Sequence, residues 1–529
     1  MQIGMSQTAI ALTALTIASA AMICGVPAQS DAASEDASSC KSLLSDNLAG
    51  LIDAPTQVTG AKLVEAVGDV PAYCEASGVV APTVGFILRL PVKKWNGKFF
   101  ERGCGGYCGS TFPTSVDGGL LRRGYAYLMF DGGHTGSGDL RGALWAYNNL
   151  QLQFDFGIRA PHVAALAGKA MTEHYYNRRP QESYFQGCSS GGQQALSEAQ
   201  RFPWDFDGII VGAPSPTFSG PMMYYLWAGK ALAGIVSRAD LQFVHEKVLA
   251  KCDRNDGLKD GIIDDPRTCK FDPTELQCTA GQTTGCLTKV QVEAIRKVYA
   301  GPTTSSGEKI YTGGPMPGSE LNWISDGRSP YASDSGIAPW SIEYFRYVGF
   351  MPAAGPQWKP EDFDFDSDYK RLRMAESLFG AADNPDLRKF KAAGGKMIMY
   401  QGWQDQSDIP SDAIDYYETV ERTMGGRPET ESFFRLFMVP GMNHCFGGPG
   451  AFAIDYLTYL EAWVEKGHGP NMIMSAHVTS YNPDDWRLDY FPLDPSKISF
   501  RRPVYPYPIQ SKYRGAGDPA DPANFHPER

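Results

Sequence analysis

Ser183-Tyr-Phe-Gln-Gly187-Cys188-Ser189-Ser190-Gly191-Gly192-Gln193 decides the architecture. Its first four residues read as a short apolar strand, and Gln193–Arg201 reads as a helix. Between them, Gly187-Cys188-Ser189-Ser190-Gly191 fits G-x-S-x-G. A strand that turns sharply into a helix holds its serine in a strained conformation, and the flanking glycines remove the Cβ clashes. The turn lifts the Ser189 hydroxyl clear of the sheet. The helix N-terminus behind it leaves N–H groups free for a developing negative charge.

Outward from this turn, short apolar strands alternate with helices. Upstream, Thr83–Leu90, Gly97–Arg102 and Gly124–Phe130 read as strands, and Pro161–Tyr176 as a helix with proline in its first turn. Downstream lie strand Asp207–Gly212, strand Lys396–Tyr400, helix 411–424, strand Phe433–Val439 and helix 449–466. This rhythm predicts an α/β fold, a mostly parallel sheet with helices on both faces. Residues 216–382 break it with Gly, Pro, Cys, Trp and Tyr and few clear strands. The expected division is a core in two parts, 29–215 and 383–529, interrupted by an inserted domain at 216–382. The Pro-rich tail from about 496 is expected to lie extended on the surface.

Apolar residues make 43% of the chain and charged residues 20%, enough for a large core. The net charge of −11 speaks against a nucleic-acid partner, because phosphate binding needs Lys and Arg. Past the N-terminus no apolar run reaches about 18 residues, so no membrane span is expected. Residues 1–28 carry no charged side chain, are nearly continuously apolar or small from Ala9 to Ile23, and end in Val26-Pro27-Ala28. They read as a secretory signal peptide, which makes the protein secreted or periplasmic. Of 11 cysteines, Cys24 would leave with the signal. The remaining even set, Cys40, Cys74, Cys104, Cys108, Cys188, Cys252, Cys269, Cys278, Cys286 and Cys445, points to disulfides and has no zinc spacing.

A serine hydroxyl is a weak nucleophile and needs a base oriented by an acid. In a sheet of this kind the order should be Ser, then Asp or Glu, then His, on loops after later strands. Asp405 follows strand 396–400 and His444 follows strand 433–439. Asp408 ranks below Asp405. His134 sits at a strand end but lies upstream of Ser189. If Ser189 and His444 are within reach, Cys188 and Cys445 must lie within disulfide span and should bridge the two loops. The oxyanion donors expected are the Ser190 N–H and a second N–H, from Gly106 or Tyr107, in the Gly103–Gly109 loop. Cys104 and Cys108 can bridge within that loop. His245-Glu246 lacks the second histidine of a zinc-hydrolase H-E-x-x-H.

Cys252-Asp-Arg-Asn-Asp256-Gly-Leu-Lys-Asp260-Gly-Ile-Ile-Asp-Asp265 packs carboxylates between Cys252 and Cys269. A hard cation with oxygen ligands would relieve their repulsion, and the reading is a structural Ca²⁺ without EF-hand spacing. No organic cofactor is expected.

Several stretches together resemble the tannase/feruloyl esterase family. They are Phe154-Asp-Phe with Arg159-Ala and His162, Tyr184 to Gly192, Glu198-Ala-Gln-Arg-Phe-Pro203, Phe206 to Pro214, Phe345-Arg-Tyr, Phe363-Asp-Phe-Asp366, Gly402-Trp-Gln-Asp405 and Asn443-His-Cys445. The resemblance implies an α/β-hydrolase core with a lid domain, the triad Ser189, Asp405 and His444, and the disulfide Cys188–Cys445. It places the lid calcium on the carboxylates of Asp253, Asp256 and Asp260 and the carbonyls of Leu258 and Ile262. It implies a serine esterase acting on small aromatic esters, hydroxycinnamoyl or galloyl, with a mono(hydroxyethyl) terephthalate-type monoester as the alternative. A hydrolase-like binding protein without activity is the reading of another class. Trp340, Tyr344 and Arg346 are candidate substrate contacts, each weighed against a place in the lid core.

Overall fold

The computed structural model describes residues 29–110, 118–136, 141–325, 329–480 and 494–529, with side chains from residue 36. The signal-peptide reading of 1–28 lies outside them. A nine-stranded sheet organises the fold. Its strands are β1 (Thr56–Val64), β2 (Tyr73–Val80), β3 (Val84–Pro91), β4 (Lys98–Arg102), β5 (Ala126–Phe130), β6 (Glu182–Cys188), β7 (Gly208–Gly212), β8 (Lys396–Gly402) and β9 (Phe434–Val439). The spatial order is β1-β2-β3-β5-β4-β6-β7-β8-β9. From β5 to β9 every pairing is parallel, while β1, β2 and β3 add an antiparallel edge.

The longer helices after β5 fall into three groups. Helices α1 (Ala160–Tyr176) and α2 (Ser190–Arg201) precede the insertion. The segment between β7 and β8 carries α3 (Ser219–Leu232), α4 (Arg238–Cys252), α5 (Lys289–Ala300), α6 (Pro339–Tyr347) and α7 (Asp368–Phe379). Helices α8 (Pro410–Met424) and α9 (Tyr456–Lys466) follow β8 and β9. Successive strand residues point to opposite faces. Phe185, Ile209, Val211, Met397 and Met399 therefore join α1, α2 and α8 in one apolar cluster. Tyr184, Ile210, Ile398 and Tyr400 join α9 in another. The parallel strands are buried on both faces, which explains their continuous apolar runs.

Two expectations need correction. Helix 449–466 begins only at Tyr456, where the Asp455 side chain caps it by accepting the Thr458 N–H. Before it, Gly450 lies so close to Pro440 that a Cβ would meet its carbonyl oxygen at 1.9 Å, so the chain is held in a turn there. The tail is not simply extended over the surface. Ile498–Val504 pairs antiparallel with Ile473–Val478, and buried Tyr507 donates its backbone N–H to the Leu436 carbonyl.

The segment between β7 and β8 has an apolar cluster of its own, with Trp323, Tyr331, Tyr344 and Phe345 buried in it. Core residues Tyr107, Phe156 and Ile409 reach into the same cluster. Its return to the core is close-packed: a Cβ on Gly157 would sit 1.7 Å from the Phe379 carbonyl oxygen at the end of α7. Among the described residues no helix is long and apolar enough to cross a membrane.

Candidate active site

Ser189 stands at the tip between β6 and α2 with φ 63° and ψ −125°, a strained geometry for a residue with a Cβ. Its N–H is tied to the Gly212 carbonyl at 3.0 Å. The tightness of the turn dictates its glycines. A Cβ on Gly187 would meet the Gly191 oxygen at 2.1 Å, and one on Gly192 would meet the Gly212 oxygen at 2.3 Å. The Gly-rich loop after β4 presses on this elbow, since a Cβ on Gly103 would lie 3.0 Å from the Gly191 Cα. Gln194 of α2 fixes the loop by accepting the Cys104 N–H at 3.1 Å.

The parallel order brings the loops after β8 and β9 toward the elbow. Asp405 is fully buried. It accepts from the N–H groups of Ser407 at 2.8 Å and Asp408 at 3.0 Å, and from the Gln401 side chain at 3.0 Å. His444 Nδ1 lies 3.0 and 3.1 Å from its two oxygens. With Nδ1–H donated to Asp405, Nε2 is the basic nitrogen. Cys188 and Cys445 form a disulfide with Cα atoms 5.9 Å apart, fastening the elbow to the His444 loop.

A second carboxyl is present. Asp408 Oδ2 lies 3.8 Å from the same Nδ1, and the Ser189 side chain reaches the Asp408 carboxyl. Burial alone would lower the His444 pKa, but the charge and hydrogen bond of Asp405 and the charge of Asp408 outweigh it and raise it to about 9. Burial raises Asp408 to about 8, against the opposing pull of His444 and with Asp405 and Asp412 adding to the rise. Asp408 entered the sequence reading only as a lesser rival to Asp405, and the supporting amides of Gln194 and Gln401 did not stand out in sequence. A glutamine ending an apolar strand was the available signal for Gln401.

His134 is buried and stacked on Trp145 at 3.7 Å, with burial lowering its pKa to about 4. His245 pairs with Glu320 at 2.8 Å. In the Gly-rich loop Cys104 bridges Cys108, Gly106 has φ 58°, and the Tyr107 hydroxyl donates to the Trp340 carbonyl at 2.9 Å. Trp340 is half-buried beside the Tyr107 ring. Tyr344 is buried in the inserted cluster, and Arg346 donates to the Trp358 carbonyl. The remaining bridges are Cys40–Cys74, Cys252–Cys269 and Cys278–Cys286.

The acidic loop suits a hard cation. Asp253 Oδ1 accepts the N–H groups of Asp260 and Gly261, folding the loop round its carboxylates. Burial first, then mutual repulsion, raises the pKa of Asp256, Asp260 and Asp264, and Asp256 reaches about 6. Arg502 of the tail, 3.2 Å from Asp260, offsets part of the charge. Among the described residues no hydrogen bond ends on the carbonyls of Leu258 or Ile262. The donors are all oxygen, as Ca²⁺ prefers.

The chain is similar to known proteins along most of its length. The family model for tannase and feruloyl esterase matches residues 65–527. An uncharacterized esterase of Xanthomonas campestris is 34% identical, over 92% of this chain and 89% of its own length. The mono(2-hydroxyethyl) terephthalate hydrolase of Piscinibacter sakaiensis is 32% identical, over 90% of this chain and 88% of its own. The crystal structure of feruloyl esterase B from Aspergillus oryzae superposes with a TM-score of 0.80 at 25% identity, covering 93% of this chain and all of that one. This likeness along nearly the whole chain places the protein in the tannase and feruloyl esterase family of ester hydrolases.

Proposed function

We propose that the protein is an exported serine esterase that cleaves esters of aromatic acids through an acyl-enzyme. The observation that carries this is the strained Ser189 elbow joined by Cys188–Cys445 to the loop that holds His444 on Asp405. His444 Nε2 takes the Ser189 proton as Oγ attacks the ester carbonyl. The Ser190 N–H and an N–H of Gly106 or Tyr107 hold the oxyanion. Asp405 stabilises the imidazolium, which protonates the leaving alcohol. Water, activated by His444, then releases the acid. The inserted segment 216–382 acts as a lid that keeps bulk water from the acyl-enzyme, with Trp340 among the residues that meet the Gly-rich loop. The carboxylates of Asp253, Asp256 and Asp260 and the carbonyls of Leu258 and Ile262 would hold a Ca²⁺, which would stabilise the lid without entering the chemistry. Five disulfides fit folding in an oxidising compartment, in line with the signal-like residues 1–28.

The test is acid release from methyl gallate, methyl ferulate and mono(hydroxyethyl) terephthalate, with Ser189→Ala run alongside. Hydroxycinnamoyl or galloyl ester cleavage that Ser189→Ala abolishes supports the reading. Preference for the terephthalate monoester moves the substrate to the alternative class. No cleavage by folded, disulfide-intact protein removes it.

A further inference from the structure

Asp408 has no part in the three-residue mechanism, yet it is only 4% exposed in the same centre. Its backbone is fixed on both sides: its N–H donates to Asp405 at 3.0 Å, and its carbonyl accepts from Gln401 at 2.8 Å. The carboxyl has little freedom to turn away. It meets His444 from the loop after β9 and the Ser189 side chain from the elbow. The other titratable groups that face it are Asp405 on its own loop, Asp412 on α8, Tyr225 on α3 and Tyr311 of the insertion. None of these is a cation, so the imidazole is the group able to offset its charge.

We propose that Asp408 is a second positioning acid of the catalytic base, lying against the imidazole edge next to Ser189 and able to take over Nδ1 when Asp405 is lost. The gap to be closed is small, since Asp405 stands at 3.0 Å from Nδ1 and Asp408 at 3.8 Å. In the intact enzyme its carboxylate favours the imidazolium through charge at short range. The direction of that effect follows from the geometry: a negative neighbour makes His444 harder to deprotonate. The acid limb of activity therefore lies at higher pH with Asp408 than without it.

This inference rests on the serine-esterase reading of the same centre. The experiment measures kcat/KM against pH on a cleaved aromatic ester for the wild type, Asp408→Asn, Asp405→Ala, the double variant and Ser189→Ala. Asp408→Asn is expected to move the acid limb down by about one pH unit. Asp405→Ala is expected to lose about 100-fold and the double variant about 10,000-fold, the loss typical when the acid of such a triad is removed. An unmoved acid limb in Asp408→Asn overturns the proposal. So does an Asp405→Ala loss as large as that of the double variant. If Asp405→Ala fails to fold, the limb of Asp408→Asn decides alone. Wild-type activity persisting in Ser189→Ala would instead defeat the esterase mechanism itself.

Discussion

At the scale of single residues, the site depends on one strained serine and one partly buried imidazole. The elbow has no room for a side chain at Gly187, where a Cβ would lie 2.1 Å from the Gly191 oxygen. Gly187→Ala should cost about 3 kcal/mol and most of the activity, read as a drop in Tm and in kcat/KM. His444 must be neutral to act as a base, and its pKa is raised to about 9 by Asp405 and Asp408 against burial. Activity should therefore climb with pH above the ordinary histidine value of 6.5. Stability should move the other way. The folded state favours the protonated ring, so this contribution is full below 6.5 and is lost as pH rises through about 9. Tm and kcat/KM measured across that window should change in opposite senses. The strained Ser189 turn and the pairing of Asp405 with His444 were legible because a nucleophile elbow is a local pattern and the parallel order fixes which loops meet it. Asp408 was legible only as a rival to Asp405 and not as a second acid beside it, since three positions along a loop carry no direction in sequence.

At the scale of elements, covalent and ionic links hold loops that local sequence cannot. Cys188–Cys445 spans 257 positions, whereas Cys278–Cys286 spans 8. Replacing the first pair by serine should cost on the order of 4 kcal/mol and the second about 2 kcal/mol. Only the first should also depress kcat, because it alone joins two catalytic loops. If Ca²⁺ sits in the acidic loop, chelation should lower Tm in proportion to the logarithm of free calcium while enzyme that stays folded keeps turning over. The parallel strands were legible because burial on both faces leaves continuous apolar runs. Strand β1 was not, since an edge strand such as Thr56–Val64 mixes polar and apolar residues, and β2 beside it has half-buried residues between its buried ones. Strand Ile498–Val504 was hidden by the prolines around it, although its pairing with Ile473–Val478 is regular for most of its length.

At the scale of the whole molecule, the inserted segment and the core share a seam. Tyr107 crosses it, with its ring among Phe156, Phe218 and Trp340 and its hydroxyl on the Trp340 carbonyl. Tyr107→Phe should cost about 1 kcal/mol and raise KM more than it lowers kcat, because it loosens the insertion without touching the triad. How the insertion packs was beyond the sequence: its cluster is assembled from residues far apart in the chain, such as Trp323 and Phe363. The proposed mechanism depends above all on Ser189 as the nucleophile. The most direct measurement treats the protein with a fluorophosphonate and locates the adduct by peptide mass spectrometry. One adduct per chain is expected, on Ser189, with esterase activity lost in step. Labelling elsewhere, or activity that survives full modification of Ser189, would contradict it.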